Sequence, residues 1–213
     1  FIGVSLGANV LAARFYATGK SKEMSETVHT AIALAAISGV VMCIIGIAAA
    51  REALVLIDTP DDVIGQAALY LRLYFCGMPF FMLYNYGAAI LRAVGDTKRP
   101  LMYLIIAGST NAVLDLVLVI IFKMGVAGVA IGTVTSQLIS CILVIRCLMI
   151  TESDYKLRIR DLRIRKYYLL QILSVGLPAG IQSTVINFSN VLLQSSVNSF
   201  GEIAMAGYTA VSY

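Results

Sequence analysis

Long apolar stretches alternate with short polar segments along this chain, and the alternation predicts a series of membrane-spanning helices. Residues 27–50, 101–122 and 126–150 are apolar throughout, with at most one charged side chain in each. At about 1.5 Å per residue, each stretch is long enough to cross the ~30 Å hydrocarbon core of a bilayer. The pattern predicts an all-α, polytopic integral membrane bundle.

Three further spans are incomplete or interrupted. Residues 1–16 read as the tail of a spanning helix, whereas residues 73–91 and 169–198 each contain a glycine followed two positions later by a proline, at Gly77 and Gly176. A proline inside a membrane helix removes a backbone hydrogen bond and kinks the helix. We therefore expect a kink at each of these positions.

The two long apolar spans on either side of Met124 form a predicted helical hairpin. Because only a short turn separates them, they must be antiparallel neighbours, and residues equally distant from Met124 lie at similar depth. This register pairs Asp115 with Thr133 and Asn111 with Gln137. The hairpin therefore places polar side chains of both helices inside the bilayer.

Asp115 is an acid deep within an apolar span. An ionised carboxylate at such a depth costs at least ~2.5–3.5 kcal/mol, so intramembrane acids face a water-filled cavity or a partner and mark ion or proton pathways. Asn111 lies one helical turn before Asp115 and shares its helix face. We predict that Asp115, Asn111 and Thr133 form a proton- or cation-binding site, with Na⁺ as a candidate ligand of Asp115. Interhelical hydrogen bonding, worth about 0.6 kcal/mol on average, is the alternative role for Asn111, Thr133 and Gln137.

Other polar residues in the spans are candidates for lining a substrate cavity. Tyr84 and Asn85 follow the first expected kink, and Gln182 and Asn187 follow the second. Gln137 joins them from the hairpin. Polar side chains along one side of a membrane helix favour a border with an aqueous cavity, while packing and interhelical hydrogen bonding are the alternative for Tyr84 and Asn85.

The composition agrees with a membrane protein. Hydrophobic residues make up 59% of the chain and charged residues 13%, against soluble averages of ~45–50% and ~25%. The net charge of +4 does not indicate nucleic-acid binding, because the basic residues fall between the spans, where membrane topology explains them. The four cysteines lie within apolar spans without metal-ligand spacing and are predicted to be buried packing residues.

The basic residues also predict the orientation in the membrane. Most of the 16 lysines and arginines lie in the polar segments after the first, third and fifth spans, including residues 151–166. The positive-inside rule makes these segments cytoplasmic and puts Lys123 on the opposite side. Residues 51–72 are predicted as a loop with a turn at Thr59-Pro60 followed by a helix start. The chain opens in an apolar stretch without an initiator methionine, which indicates a fragment of a longer, multi-pass plasma-membrane protein.

One short motif suggests an enzyme. The run Gly3-Val4-Ser5-Leu6-Gly7 matches the G-x-S-x-G pattern, and an intramembrane serine hydrolase would pair Ser5 with His29, which is expected at the membrane interface. That motif requires a strained strand-to-helix turn, whereas here it lies within a helical span, and the two residues lie on opposite sides of the first cytoplasmic loop. Glycine packing is the preferred interpretation, and neither catalytic residues nor a cofactor are predicted.

The hairpin and the turn before it resemble the multidrug and toxic compound extrusion (MATE) family. The order and orientation of the spans agree with that family along the whole chain. The resemblance rests on the motifs Arg92-x-x-Gly95-Asp96-Thr97-x-x-Pro100, Asn111-x-x-x-Asp115 and Met124-Gly125-Val126-x-Gly128-x-Ala130-Ile131-x-Thr133-x-x-Ser136-Gln137.

The resemblance implies a transporter with twelve helices in two lobes, which exports drugs or organic cations in exchange for protons or sodium ions. Residues 1–150 would supply helices two to six of the first lobe, without its first helix. Residues 151–166 would be the cytoplasmic linker between the lobes, and residues 167–213 would hold helix seven and the start of helix eight. Such a protein is expected to act as a monomer in the bilayer once full length.

The resemblance also implies residue roles. The family's first-lobe ion site combines an aspartate of the first helix, outside these residues, with residues of helices five and six that match Asn111, Asp115 and Thr133. Some members carry a glutamate midway along helix seven. This chain has Ile186 at that position, which argues against a second-lobe sodium site.

Two other functions stay open. A lipid-linked precursor flippase of related architecture would share the two-lobe fold, but cationic side chains are expected in its central cavity and the spans here hold almost none. A purely structural membrane protein explains the hydrophobicity but leaves Asp115 without a purpose. We therefore predict a bacterial multidrug antiporter that exchanges its substrate for protons or sodium ions.

Overall fold

The computed structural model describes residues 2–56 and 61–198, and within these ranges the chain is built of helices. The α-helices in chain order are α1 (Ile2–Ala17), α2 (Ser21–Leu56), α3 (Asp61–Cys76), α4 (Met78–Ala93), α5 (Lys98–Leu116), α6 (Gly125–Ile150) and α7 (Lys166–Asn198). A π-helix, Val117–Ile121, continues α5, and a short 3₁₀ helix, Ile159–Asp161, lies between α6 and α7. The all-α bundle expected from the apolar pattern is confirmed.

Most of these helices are long and apolar enough to cross a membrane. Within the described ranges, α2, α5 with its π-helical continuation, α6 and α7 each qualify alone, and α3 with α4 forms a further span bent by 42°. Large aliphatic side chains project from the bundle, such as Ile44 of α2 and Ile105 of α5, which are 63% and 59% exposed. Such surfaces are expected where lipid replaces water around the protein.

The break between α3 and α4 arises from Gly77 and Pro79. The N–H of Gly77 donates to the carbonyl of Tyr74 at 3.0 Å, and Pro79 lies in the first turn of α4, where a missing N–H costs no helix bond. The kink expected here is confirmed. By contrast, α7 runs through Pro178 as one helix, so the proline expected to kink that span does not break it.

The segment predicted as a loop between the second and third spans is largely helical. α2 continues to Leu56, and α3 begins at Asp61, well before the apolar run at residue 73. Arg51 and Arg72 are exposed on these helices, so the charges do not interrupt them. The helix start expected after the turn is confirmed at Asp61, while the turn itself, at residues 59–60, lies outside the described residues.

Glycines bring α1 and α7 into backbone contact. Gly3 faces Gly180, and Gly7 faces Gly176 and the carbonyl of Ile172, so a Cβ on either α1 glycine would overlap the backbone of α7. Small residues permit such close crossings in membranes, where packing holds the helices together. The interpretation of the Gly3–Gly7 run as a packing motif is confirmed.

The linker after α6 folds back onto the first turns of α2. Arg165 forms a two-pronged ion pair with Glu26, with N–O distances of 2.9 and 3.1 Å. The backbone N–H of Arg158 donates to Nε2 of His29 at 3.1 Å, and Leu157 is buried in the core. His29 is only 3% exposed, because the linker covers it at the polar end of α2.

The contacts of His29 also remove the serine hydrolase alternative. Nδ1 lies 2.7 Å from the carbonyl oxygen of Ser25, and Nε2 accepts the N–H of Arg158. A histidine with both ring nitrogens bonded to the main chain has none left to act as a base for Ser5.

Candidate functional site

Asp115 meets α6 at a glycine. Its Oδ1 atom packs directly against Gly132, at a point where a Cβ on α6 would overlap the carboxylate. Gly132 is buried and Asp115 is half-buried. The amide Nδ2 of Asn111 donates to the same Oδ1 atom at 3.4 Å. The carboxylate is therefore held at the contact between two membrane-spanning helices.

The π-helix explains why Gly132, rather than Thr133, faces Asp115. The expected register assumes α-helical geometry in both arms of the hairpin. Residues Val117–Ile121 form the π-helix almost directly after Asp115, and a π turn advances less along the helix axis per residue, which shortens this arm by about one residue. Asp115 therefore contacts α6 one residue nearer the turn than expected, at Gly132. Single π turns occur frequently at functional sites.

Thr133 lies next to this contact. Its hydroxyl donates to the carbonyl of Val129 at 3.0 Å, so its proton is used within α6. The lone pairs of the hydroxyl oxygen can still accept a hydrogen bond or coordinate a cation. The structure thus brings Asn111 to Asp115 by a direct bond and places Thr133 beside the glycine that Asp115 touches.

The structure separates Gln137 from Asn111, with which it was expected to pair. The Oε1 atom of Gln137 packs against Gly77, at the break between α3 and α4. This oxygen is buried and has no hydrogen-bond partner among the described residues. Gln137 lies five positions beyond Gly132 on α6, which turns it toward a different neighbour. α6 therefore contacts the carboxylate on one face and the helix break on another.

A cavity of about 590 Å³ opens between α1, α2, α4 and α7. Its volume falls within the ~300–1,000 Å³ typical of small-molecule sites. Methionine side chains are flexible and polarisable, so a wall that contains several of them can adapt to ligands of varied shape. The lining residues are Gly3, Met42, Met78, Phe81, Met82, Gly180, Ser183, Thr184, Ile186 and Asn187.

Of the residues predicted to line a substrate cavity, the structure brings Asn187 to this one. The hydroxyl of Tyr84 donates to the carbonyl of Pro100 at 3.0 Å, and the amide of Asn85 donates to the carbonyl of Phe81 at 2.8 Å. Gln182 is exposed and is not among the lining residues. Tyr84 therefore makes an interhelical hydrogen bond, which was its alternative role, whereas the hydrogen bond of Asn85 lies within α4.

Sequence reasoning missed most of the cavity wall. Ser183 belongs to the polar side of the seventh span that the sequence pattern indicates, whereas Thr184, about one helical turn before Asn187, could have been identified by its spacing. Met42 and Met82 carry no such signal, because an apolar residue in a membrane helix looks the same whether it faces lipid, a neighbouring helix or a cavity.

The hairpin site offers oxygen ligands only. The Asp115 carboxylate, the side-chain carbonyl of Asn111 and the hydroxyl of Thr133 are the types of donor that hard cations such as Na⁺ prefer. A carboxylate between two helices can bind a proton instead, which removes the charge that is costly inside a membrane. Either ligand changes the charge at the α5–α6 contact.

The family model described as MatE matches residues 1–117. Two proteins of Bacillus subtilis, both named probable multidrug resistance proteins, are similar to the chain. YoeA is 31% identical over 99% of this chain and 47% of its own length, and YpnP is 34% identical over 73% of this chain and 35% of its own length. The chain thus spans about half, or less, of the length of these relatives.

Solved structures agree with the arrangement of the helices. A structure of MATE in the bent conformation superposes with a TM-score of 0.88 over 98% of this chain and 47% of that chain, at 23% identity. An outward-facing multidrug resistance MATE family transporter gives a TM-score of 0.86 over 99% of this chain, at 22% identity. At these identities the superpositions establish a shared fold.

Proposed function

Because this chain belongs to the MatE family, whose members are transporters and not enzymes, we propose that it supplies about half of an antiporter for drugs or organic cations. Protons or sodium ions would enter in exchange for the exported substrate. The named function of the relatives, multidrug resistance, supports this substrate class. The bacterial source of those relatives supports a bacterial plasma membrane as its location.

The contact of Asp115 with Gly132 carries the proposal for ion coupling. A carboxylate that touches the partner helix cannot change its charge without changing the packing of that helix. Ionised, it favours a bound cation or water in the contact, whereas protonated it can pack as a neutral group. We assign Asp115 as the coupling residue, with Asn111 and Thr133 as residues that orient it or its ion.

The cavity between α1, α2, α4 and α7 is the proposed substrate site within this half. Its apolar wall would hold the body of a lipophilic cation, and Ser183, Thr184 and Asn187 would supply a few polar contacts. None of its lining residues is cationic, which favours an organic cation over the anionic lipid-linked substrate of a flippase.

α6 links the two places. Asp115 touches Gly132 of α6, Gln137 of α6 touches Gly77 at the bend, and Met78, directly after the bend, lines the cavity. A change of charge at Asp115 that shifts α6 would therefore change the angle between α3 and α4 and the shape of the cavity wall. In this proposed coupling path, α6 and the bend each adopt two arrangements, and both the ion and the substrate shift the balance between them.

The proposal is tested by substrate binding to the full-length protein at varied pH and sodium concentration. Binding of a fluorescent organic cation should depend on one of these variables in the wild type, and this dependence should vanish in Asp115→Asn, because coupling between two sites is reciprocal. Asp154→Asn, at an exposed acid of the linker, is the matched control and should keep the dependence. A dependence that persists in Asp115→Asn would contradict the proposal.

The proposed arrangement in the membrane follows the basic residues. Residues 1–150 would form the first lobe, residues 151–166 the cytoplasmic linker and residues 167–213 the start of the second lobe, which acts within a monomer. Contacts of Tyr155 and Leu157 with the core support a linker that is a folded part of the protein. The expected start of helix eight lies outside the described residues.

A further inference from the structure

A second pocket, of about 390 Å³, lies where the start of α5 meets the end of α6. Two arginines, two hydroxyl side chains and two aliphatic side chains form most of its wall. Both helices span the membrane, so their ends place this pocket at the level of the lipid headgroups. The lining residues are Arg99, Tyr103, Leu143, Arg146, Cys147, Ile150 and Thr151.

The pocket follows from the spacing of its residues in the sequence. Leu143, Arg146, Cys147 and Ile150 are separated by three, four and seven positions from the first, so they form one stripe along α6. Arg99 and Tyr103 are one turn apart on α5 and face that stripe. Asp115 lies about three turns further along α5 than Tyr103, and this pocket shares no lining residue with the cavity described above.

The charge in this pocket is not neutralised by its own wall. No lining residue is acidic, and Arg146 forms no ion pair among the described residues. Arg99 binds Asp96 through Nε at 3.3 Å and contacts the Cys147 sulfur through Nη1 at 3.6 Å, while Nη2 makes neither contact. The pocket therefore presents two guanidinium groups to an anion.

A second basic pocket provides a contrast. It is lined by Lys22, Arg165 and Lys166 together with Glu26, whose carboxylate already forms the two-pronged ion pair with Arg165. An anion entering there would compete with a carboxylate within the pocket itself. In the pocket at α5 and α6, the carboxylate that pairs with Arg99, Asp96, is not part of the wall, and Arg146 forms no ion pair among the described residues.

We propose that the pocket between α5 and α6 binds the headgroup of an anionic phospholipid. The phosphate would lie between Arg99 and Arg146, and the hydroxyls of Tyr103 and Thr151 would donate hydrogen bonds to it. The acyl chains would lie along the aliphatic side of the pocket, at Leu143 and Ile150. This combination of cations with the half-buried Leu143 and the exposed Ile150 suits a lipid better than a free anion, which would leave the apolar part of the pocket in water.

Binding of the lipid can be measured through Cys147, which lines the pocket. In the full-length protein with its other cysteines replaced by alanine, the rate of maleimide alkylation reports access to this thiol. Nanodiscs of phosphatidylcholine alone are compared with nanodiscs that also contain phosphatidylglycerol. We expect the anionic lipid to slow alkylation several-fold, because its headgroup covers the sulfur.

The variant R99Q/R146Q should need on the order of 25-fold more phosphatidylglycerol for the same protection, because each cation removed contributes a factor of about five. Each variant is compared with itself in phosphatidylcholine, so that an altered thiol reactivity cancels. K98Q/R160Q, which removes two exposed cations outside the pocket, should be protected like the wild type. R99K/R146K keeps the charges and should keep most of the protection.

Four results would overturn the proposal. One is equal alkylation with and without phosphatidylglycerol, and another is undiminished protection in R99Q/R146Q. The third is protection by inorganic phosphate in phosphatidylcholine nanodiscs, which would identify a site for a soluble anion. The fourth is loss of protection in R99K/R146K, because access of the maleimide to Cys147 would then depend on local packing rather than on charge.

Discussion

A single glycine determines how closely the Asp115 carboxylate approaches α6. The space that a Cβ would need at Gly132 is occupied by Oδ1 of Asp115, and the backbone nitrogen of Asp115 lies 3.5 Å from the same point. Gly132→Ala must therefore displace the carboxylate or separate α5 from α6. Overpacking of this kind typically costs about 1–3 kcal/mol.

We expect Gly132→Ala to lower the free energy of unfolding by that amount and to weaken the dependence of substrate affinity on pH or sodium. Gly108→Ala is the matched control on α5, since a Cβ there meets no atom within 4 Å. Unfolding in detergent and substrate titrations of the full-length protein measure both effects. Equal behaviour of the two alanine variants would show that the α5–α6 contact does not constrain Asp115.

The neighbours of Asp115 should matter less than the acid itself. The Asn111 hydrogen bond is long, at 3.4 Å, and Thr133 reaches Asp115 only through a bound ion or a movement of the side chain. We expect Asn111→Ala and Thr133→Ala each to weaken ion binding by roughly fivefold, or about 1 kcal/mol. Ion titrations that show full loss of coupling in either variant would move the central role away from Asp115.

At the scale of helices, the apolar pattern predicted α2, α5 and α6 well, because an uninterrupted run of apolar residues leaves a membrane chain no alternative to a helix. The π-helix after Asp115 could not be predicted in the same way. Val117–Ile121 is as apolar as the α-helix before it, and the difference lies in hydrogen bonding alone. That local change moved the partner of Asp115 from Thr133 to Gly132.

Contacts between residues that are far apart in the sequence could not be predicted either. His29 stands at the polar end of an apolar run, which indicates an interfacial position, but the sequence does not show that Arg158, far along the chain, covers it. The cysteines show the same limit. Of the four, all expected to be buried, Cys141 is buried, while Cys76 is exposed and Cys147 lines a pocket at the helix ends. An apolar sequence predicts that a segment lies in the membrane. It does not predict which neighbouring residue covers a given side chain.

The bend between α3 and α4 yields a prediction at the same scale. The buried Oε1 atom of Gln137 has no hydrogen-bond partner among the described residues, and an unsatisfied buried acceptor costs about 1–3 kcal/mol. Gln137→Met keeps the length of the side chain and removes the acceptor. We therefore expect the free energy of unfolding to rise by about 1 kcal/mol, while transport slows because the bend is held more firmly against α6.

Gln171 of α7 is the matched control, because its Oε1 atom is also buried without a partner in the described part of the chain, yet it does not contact the bend. Gln171→Met should stabilise the protein similarly and leave the transport rate unchanged. Turnover in vesicles, together with unfolding, separates the two roles. Equal transport rates in both methionine variants would remove Gln137 from the proposed coupling path.

At the scale of the whole molecule, orientation in the membrane is the first testable property. The proposal places Arg160 of the linker on the cytoplasmic side and Lys123 of the α5–α6 turn on the opposite side, and both side chains are exposed. In a cysteine-free, full-length protein, Arg160→Cys should react with a membrane-impermeant reagent only after the cells are opened. Lys123→Cys should react in intact cells, and the reverse pattern would overturn the orientation.

Ion-driven efflux of the whole protein tests the central claim most directly. Asp115→Asn preserves the size and the hydrogen bond to Asn111 while removing the charge that the driving ion must neutralise. In reconstituted vesicles under an imposed proton or sodium gradient, we expect wild-type protein and Asp154→Asn to drive efflux of an organic cation, and Asp115→Asn to insert normally but lose gradient-driven efflux. Efflux by Asp115→Asn at the wild-type rate would contradict the account and leave Asp115 with a role in packing alone.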